Sequence, residues 1–236
     1  MNATKALHDL GQSIWLDNIT RDLLSSGTLR RYIDEWSVTG LTSNPTIFNQ
    51  AVTKSSAYDP EIKALAGSKL SDEALFFKLA LADLTAAADI FRELHTRTNG
   101  VDGFVSLEVS PLLANNTAST IAAAKELFAA AGRPNLFIKI PGTTEGLPAI
   151  EESIFAGIPV NVTLLFSTAH YLAAAEAYLR GIERRIAAGL SPYVASVASI
   201  FVSRWDAAVV GKVPEALNNR LALALAQQTY QASRTL

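Results

Sequence analysis

The stretch that decides the fold is residues 136–143, LFIKIPGT. It is a short apolar run interrupted by one lysine and followed by Pro-Gly, a dipeptide typical of turns. Strand alternation places Phe137 and Lys139 on one face and Ile138 and Ile140 on the other. The stretch therefore predicts a buried strand that carries an amine near its carboxyl end.

Similar apolar runs recur along the chain, and turn or helix-capping residues follow each of them. The predicted strands are residues 14–17, 40–44, 103–109, 136–140, 160–165 and 194–201. Helical patterns lie between these runs. Alternation of helices with nearly continuous apolar strands indicates a parallel sheet covered by helices.

Capping residues mark the predicted helices. These run from Ser71 to about Arg97, from Thr117 to Gly132, from Thr144 to Phe155, from Ser167 or Thr168 towards Ala188, and from Glu215 to about Arg234. Gly181 is expected to be a weak point in the fourth helix. The polar segment 50–69 lacks clear periodicity, and we interpret it as an insertion over the mouth of a barrel.

Two architectures fit this pattern, an open doubly wound sheet and a closed (β/α) barrel. No G-x-G-x-x-G motif follows the first strand, which disfavours a dinucleotide-binding fold. A Walker-type phosphate loop is missing as well.

Composition narrows the classes of function. The 236 residues have a net charge of −2, so no overall basic field points to nucleic acid or an anionic membrane. Because there are no cysteines, thiolate metal sites and cysteine catalysis are excluded. The histidines His8, His95 and His170 lack metal-ligand spacing, so we expect no metal. With no secretory signal pattern and no long apolar run, we expect a cytoplasmic protein.

Polar side chains stand near the carboxyl end of every predicted strand. They are Asp17; Thr42 and Asn44; Ser106 and Glu108; Lys139; Asn161 and Thr163; and Ser199, with Arg204 shortly after it. In a β/α barrel the carboxyl ends of the strands converge on one mouth. A repeated placement of costly polar groups in apolar strands indicates a functional site.

Each of these residues also has a structural interpretation. A lone strand-end lysine more often extends to solvent, Asp17 fits a helix cap, and Glu108 fits an ion pair. Asn44 before a proline fits a turn, Asn161 and Thr163 fit ordinary strand positions, and Arg204 fits the surface. A buried Lys139 beside carboxylates has another use, because a desolvated neutral amine attacks carbonyl groups to form a Schiff base.

Together the stretches resemble the transaldolase family, class I aldolase-type (β/α)8 barrels of the pentose phosphate pathway. The matching stretches, in family order, are IWLDNITRDLLSSG, GLTSNPTIF, FVSLEVSP, LFIKIPGT, NVTLLFS and SIFVSRWD. The longer bacterial forms, including those fused to glucose-6-phosphate isomerase, are most similar.

The resemblance implies a role for each matching position. Lys139 is expected to form the Schiff base, and Asp17 to take the proton from the C4 hydroxyl. Glu108 and Thr163 are expected to hold the water used in carbinolamine chemistry. Substrate contacts are expected from Thr42, Asn44, Ser106, Asn161 and Ser199, with Arg204 on the phosphate. The implied substrates are sugar phosphates, and no cofactor or metal is required.

Six units are visible in the sequence, whereas the family barrel has eight. We therefore expect one barrel-like domain over residues 1–236 that lacks its last units and self-associates if the barrel is open. The alternatives are a fructose-6-phosphate-type aldolase and an inactive fragment that acts only in assembly. Solution mass by light scattering tests the assembly alternative.

Overall fold

The computed structural model describes residues 2–236. Its strands are β1 (Ile14–Asp17), β2 (Val38–Thr42), β3 (Phe104–Glu108), β4 (Leu136–Pro141), β5 (Val160–Leu165) and β6 (Ser196–Ile200). Its helices are α1 (Ala3–Asp9), α2 (Arg21–Ser25), α3 (Thr28–Trp36), α4 (Pro45–Lys54), α5 (Asp59–Leu65), α6 (Asp72–Arg97), α7 (Thr117–Ala131), α8 (Gly146–Phe155), α9 (Thr168–Ala187), α10 (Ser203–Val209) and α11 (Leu221–Ser233). Short 3-10 helices span Ser56–Tyr58, Pro111–Leu113 and Glu215–Leu217.

The sheet has the strand order β1-β2-β3-β4-β5-β6, and the β1–β2, β2–β3 and β5–β6 pairs are parallel. A doubly wound sheet reverses its strand order at a switch point, and this sheet does not. The order is instead that of consecutive units of a β/α barrel. The predicted α/β class with six units is therefore confirmed.

Several predicted helix ends are confirmed by their caps. The Ser71 hydroxyl accepts a hydrogen bond from the Ala74 amide at 3.2 Å at the start of α6. At the start of α9 the Ser167 hydroxyl accepts from the His170 amide at 3.1 Å. Gly132 has a φ of +55° directly after α7, a conformation that ends helices.

Other expectations about the helices are wrong. Thr143, not Thr144, serves the start of α8, because its hydroxyl accepts from the Gly146 amide at 3.0 Å. The last helix begins at Leu221, after a separate short 3-10 helix. Residues 50–69, whose sequence lacks clear periodicity, contain the end of α4, a 3-10 helix and α5, and their expected place over the mouth of a barrel stays a prediction. Strand β2 ends at Thr42, so Asn44 lies beyond it.

Gly181 is not a weak point of α9. It is buried, and a side chain there would meet the Glu151 backbone and the Ile154 side chain of α8 at 2.8 Å. The missing side chain lets α8 and α9 pack closely, so this glycine supports the helix pair. Within residues 2–236, no helix combines the length and apolar character needed to cross a membrane.

The chain divides into two compact units. The first unit runs up to Ser110 and includes Glu126–Ile138, and the second comprises Pro111–Lys125 and Lys139–Leu236. The organisation as a single domain stays a prediction.

Aromatic side chains from three strands stack on one another in the first unit. Trp15 of β1 stacks on Phe137 with ring centroids 6.1 Å apart, and Phe137 stacks on Phe104 of β3 at 4.1 Å. Gly40 of β2 makes room for this stack, because a side chain there would meet the Trp15 indole at 2.5 Å. The predicted face of Phe137 is thus occupied by packed aromatic rings of the first unit.

Candidate active site

Three predicted site residues line up at the carboxyl ends of β1, β2 and β3. In the parallel register, Asp17 pairs with Thr42, and Thr42 pairs with Ser106. These residues follow Trp15, Gly40 and Phe104 by two positions. Because side chains alternate along a strand, all three lie on the same face as those residues. Asp17 is exposed and Ser106 is fully buried. The structure therefore brings a carboxylate and two hydroxyls together within the first unit.

Asp17 does not cap the following helix. The cap of α2 is Thr20, whose hydroxyl accepts from the Leu23 amide at 3.1 Å. Its alternative structural interpretation is therefore wrong, and the carboxylate at the end of β1 is available for another purpose.

Asn44 and Glu108 are found at one small pocket of the first unit. Both line a small pocket at the ends of β2 and β3, together with Ser43. Asn44 is also the cap of α4, because its side-chain oxygen accepts from the Ile47 amide at 3.0 Å and Pro45 follows it. The Asn-Pro pair thus begins a helix, and the cap bond fixes the Asn44 side chain at the start of α4.

A buried ionic cluster that the sequence analysis missed anchors the segment after Asp17. Arg21, the first residue of α2, donates to one Asp83 oxygen from Nε at 3.0 Å and from Nη2 at 2.9 Å. The Tyr58 hydroxyl donates to the other Asp83 oxygen at 2.8 Å, and the guanidinium lies 4.3 Å from the Tyr58 ring centre. Arg21 also pairs with Glu61 at 2.9 Å. These contacts tie α2 to α5 and α6.

Burial dominates the electrostatics of this cluster. Desolvation raises the pKa of the Asp83 carboxyl above its usual range, although hydrogen bonds from Tyr58 and Arg21 oppose the rise. Burial, and then the Asp83 carboxyl, also raise the pKa of the Tyr58 hydroxyl. The only sequence signal was an aspartate on the apolar face of a long helix, LALADLTAAA, which indicates a paired buried acid.

Lys139 lies in the second unit and belongs to β4, whose residues are all buried. Its side chain is 7% exposed, so it does not extend into solvent as a lone strand-end lysine usually does. Strand alternation places it on the same face of β4 as Phe137. A lysine buried to this degree is rare unless it is paired or functional.

Asn161, Thr163 and Ser199 join Lys139 in the second unit. Asn161 and Thr163 of β5 are 2% and 1% exposed. Ser199 of β6 donates to the Asn161 side-chain oxygen at 2.8 Å. The Thr163 carbonyl accepts from the Gly142 amide at 2.8 Å, which joins the end of β5 to the end of β4. These contacts join the polar side chains of β5 and β6 and tie the backbone of β5 to the residue that follows β4.

Arg204 lies near the start of α10 and is exposed. Its guanidinium carbon is 4.3 Å from the centre of the Phe201 ring, which is itself stacked on Phe166 at 5.1 Å. The stack holds the guanidinium in place next to β6. Its expected contact with a phosphate stays a prediction.

The first unit contains carboxylates and hydroxyls, which are groups able to accept and return protons, and the second unit contains a buried amine together with amide and hydroxyl side chains. In the part of the chain that the structure describes, no group of three or more histidine, aspartate or glutamate side chains is placed to hold a metal ion.

Comparison with known proteins agrees with the fold. The family described as Transaldolase/Fructose-6-phosphate aldolase matches residues 14–236. The chain is 42% identical to Transaldolase 2 of Nostoc sp. over 90% of its own length and 56% of that protein. It is 45% identical to Transaldolase of Neisseria gonorrhoeae over 94% of its length and 63% of that protein.

A third relative, Transaldolase of Thiobacillus denitrificans, is 42% identical over 98% of this chain and 67% of that protein. The chain thus spans roughly half to two thirds of the length of the curated relatives it matches. The family match covers almost all of the chain, including all six strands. The chain therefore belongs to the transaldolase/fructose-6-phosphate aldolase family.

Proposed function

We propose that the protein is a transaldolase that moves a three-carbon dihydroxyacetone unit between sugar phosphates through a Schiff base on Lys139. The observation that carries this proposal is the burial of Lys139, in the same unit as the polar residues of β5 and β6, in a chain of this family. A lysine amine held in such a site can attack a carbonyl group and form a Schiff base.

In the first step, the Lys139 nitrogen bonds to the ketose carbonyl carbon. Two protons of the ammonium group pass to the carbonyl oxygen, which leaves as water, and a protonated imine remains. We assign the handling of this water to Glu108 and Thr163, because a carboxylate and a hydroxyl relay protons at little cost.

In the second step, Asp17 takes the proton of the C4 hydroxyl while the C3–C4 bond breaks. The electron pair of that bond moves into the protonated imine, which acts as the electron sink. The position of Asp17 in register with Thr42 and Ser106 supports this assignment, because those hydroxyls would hold the substrate beside the carboxylate. Further substrate contacts are assigned to Asn44, Asn161 and Ser199, and the phosphate contact to Arg204.

The complete reaction that follows from these roles has two halves. Sedoheptulose 7-phosphate loses erythrose 4-phosphate, and the three-carbon unit left on Lys139 then attacks glyceraldehyde 3-phosphate to give fructose 6-phosphate. The imine serves as electron sink in both halves, so the reaction as proposed uses no cofactor.

Borohydride trapping tests the proposal. The chain is incubated with fructose 6-phosphate, reduced, digested and read by mass spectrometry, and we expect a three-carbon adduct on Lys139. The adduct should disappear in Lys139→Ala and persist in Lys125→Ala, a matched control because Lys125 is an exposed lysine of the same unit. No adduct, or one that survives Lys139→Ala, refutes the proposal.

The second candidate is a fructose-6-phosphate aldolase, which keeps the lysine but releases free dihydroxyacetone. It is considered because the matching family includes both activities in its description. An acceptor assay separates the two. Turnover that requires an aldose phosphate supports the transaldolase, and free dihydroxyacetone as the main product favours the aldolase. Cytoplasmic localisation and self-association stay predictions.

A further inference from the structure

Strand β5 contains one residue more than its neighbour over the same distance. Val162 pairs with Ala198, whereas the next pair is Leu165 with Ile200. The chain advances three residues in β5 while it advances two in β6, which is the definition of a β-bulge. The extra residue falls at Thr163 and Leu164, next to the hydroxyl that we assign to the water step.

The bulge depends on an unusual backbone conformation. Leu164 has a φ of +59°, in the left-handed region that leucine rarely adopts. Such a conformation persists only when the surrounding structure enforces it, and these outliers concentrate at functional sites. Here the residues on both sides are fixed. The Thr163 carbonyl accepts from Gly142, and the Leu165 carbonyl accepts from the Phe201 amide at 2.9 Å.

The bulge changes which residues share a face. In a regular strand, Val162 and Leu164 would point to the same side. Instead, a side chain built on Gly142 would meet both Val162 and Leu165, so these two residues share that side. Leu165 is fully buried, whereas Leu164 is half-buried. The side chain that packs into the core is therefore that of Leu165 and not that of Leu164. Leu164 is the additional residue of the bulge.

Thr163 is the residue whose direction this arrangement determines. It is the last residue before the register shift, and its side chain is 1% exposed although its neighbour is distorted. A bulge solely for sheet curvature requires no particular side chain before it. A polar, buried threonine at that position indicates that the bulge aims a functional group.

We propose that Leu164 is a positioning residue whose left-handed backbone holds the Thr163 hydroxyl in place for the water step at Lys139. This rests on the proposed function for the role of Thr163. Leu164 contributes its backbone conformation, and its side chain is not required for the reaction.

A substitution series at Leu164 tests the proposal through the rate at which the trappable Lys139 adduct forms. Glycine and asparagine accept a positive φ, so Leu164→Gly and Leu164→Asn should form the adduct within about twofold of the wild-type rate. Valine is branched at Cβ and disfavours that conformation. We expect Leu164→Val to form the adduct about 10–100 times more slowly, as misplacement of a catalytic group does.

Leu165→Val is the matched control. It makes the same change of side chain in the next residue, whose φ is not positive, and it should lower the unfolding temperature without slowing adduct formation. If Leu164→Val behaves like Leu165→Val, the bulge has only a structural role. If Leu164→Gly is as slow as Leu164→Val, the side chain matters and the proposal is overturned.

Thermal unfolding tests the backbone conformation separately from activity. Leu164→Gly should unfold at a higher temperature than Leu164→Ala by about 2–4 °C, because alanine is strained at a positive φ. The opposite order would overturn the left-handed conformation. Absence of a wild-type Lys139 adduct refutes the proposed function and the positioning role with it. A wild-type adduct with unchanged Leu164→Val kinetics overturns the positioning role alone.

Discussion

Strands β5 and β6 are neighbours in the second unit with similar apolar sequences, VNVTLL and SVASI, yet they differ in burial. Five of the six residues of β5 are buried, whereas β6 has an intermediate residue at each end and exposed residues within it. Strand β5 is bonded on one side to Gly142 and on the other to β6. Strand β6 comes last in the sheet order and lies beside a groove of about 690 Å³.

In this sheet, the burial of a residue is determined by the elements packed beside its strand and not by its residue type. Val160 and Val197 are the same residue type, but they are 0% and 38% exposed. The groove beside β6 is lined by Val197 and by residues of α9 and α11 such as Tyr171 and Tyr230. The candidate site residues of β5 therefore lie between hydrogen-bonded neighbours on both sides of the strand. Ser199 of β6 lies at the edge of the sheet and is positioned by its hydrogen bond to Asn161.

The largest expected effect comes from matched valine substitutions in the two strands. Val160→Ala should lower the free energy of unfolding by about 2–3 kcal/mol, because two buried methyl groups are lost and a cavity remains. Val197→Ala should change it by no more than about 0.5 kcal/mol. Urea denaturation of both variants and the wild type measures the difference.

Equal destabilisation by the two substitutions would break the comparison. It would mean that the outer face of β6 is covered in solution, for example in a self-associated form. Repeating the measurement at several protein concentrations distinguishes this case, since burial by association depends on concentration.

The strands were predictable from sequence because each is a short apolar run followed by turn or capping residues. Residues 14–17 and 160–165 have the bounds that the pattern predicted, and the strand starting at residue 136 is only one residue longer. The short helices α2 and α3 were missed. A five-residue helix has too few turns to show periodicity, and α3 begins after a glycine with no side-chain cap.

A smaller effect is expected from the hydrogen bond that joins the two strands. Asn161→Ala should destabilise by about 1–3 kcal/mol because Asn161 is buried, and Ser199→Ala by about 1 kcal/mol. The double variant should show a coupling energy of about 1 kcal/mol in a double-mutant cycle.

The control cycle pairs Asn161→Ala with Ser196→Ala. Ser196 is on the same strand as Ser199, but its hydroxyl donates to the Val160 carbonyl at 2.9 Å. These two changes should add within about 0.5 kcal/mol. Additivity for Asn161 and Ser199 as well would show that the bond seen between their side chains contributes nothing in solution.

The alignment of some candidate site residues was predictable from the sequence, but the detailed geometry around them was not. The alignment of Asp17, Thr42 and Ser106 follows from parallel strands whose carboxyl ends meet at one edge. The bulge at Leu164 has no sequence signal, because a leucine inside an apolar run is typical of a regular strand. Its conformation is imposed by contacts with other strands, which one-dimensional patterns do not contain.

The smallest expected effect concerns the helices that cover β5. Arg180 and Arg184 of α9 each bond to the Glu151 carboxylate of α8, at 2.8 and 3.0 Å, and the bond from Arg180 is the main cause that lowers the pKa of Glu151. A lowered carboxyl pKa stabilises the fold above the unfolded-state pKa, about 4.3, and this contribution is lost as the pH falls through the lower folded-state value. The free energy of unfolding of the wild type should therefore be higher than that of Glu151→Gln near neutral pH. The difference should be at most about 1 kcal/mol, because the arginines are partly exposed. This difference in the free energy of unfolding should disappear in acid.

The control is Glu176→Gln, which removes a more exposed partner 3.9 Å from Arg180. Its free energy of unfolding relative to the wild type should show no such pH dependence. A gap that stays constant down to pH values well below the glutamate range would mean that the loss reflects packing between α8 and α9 and not charge.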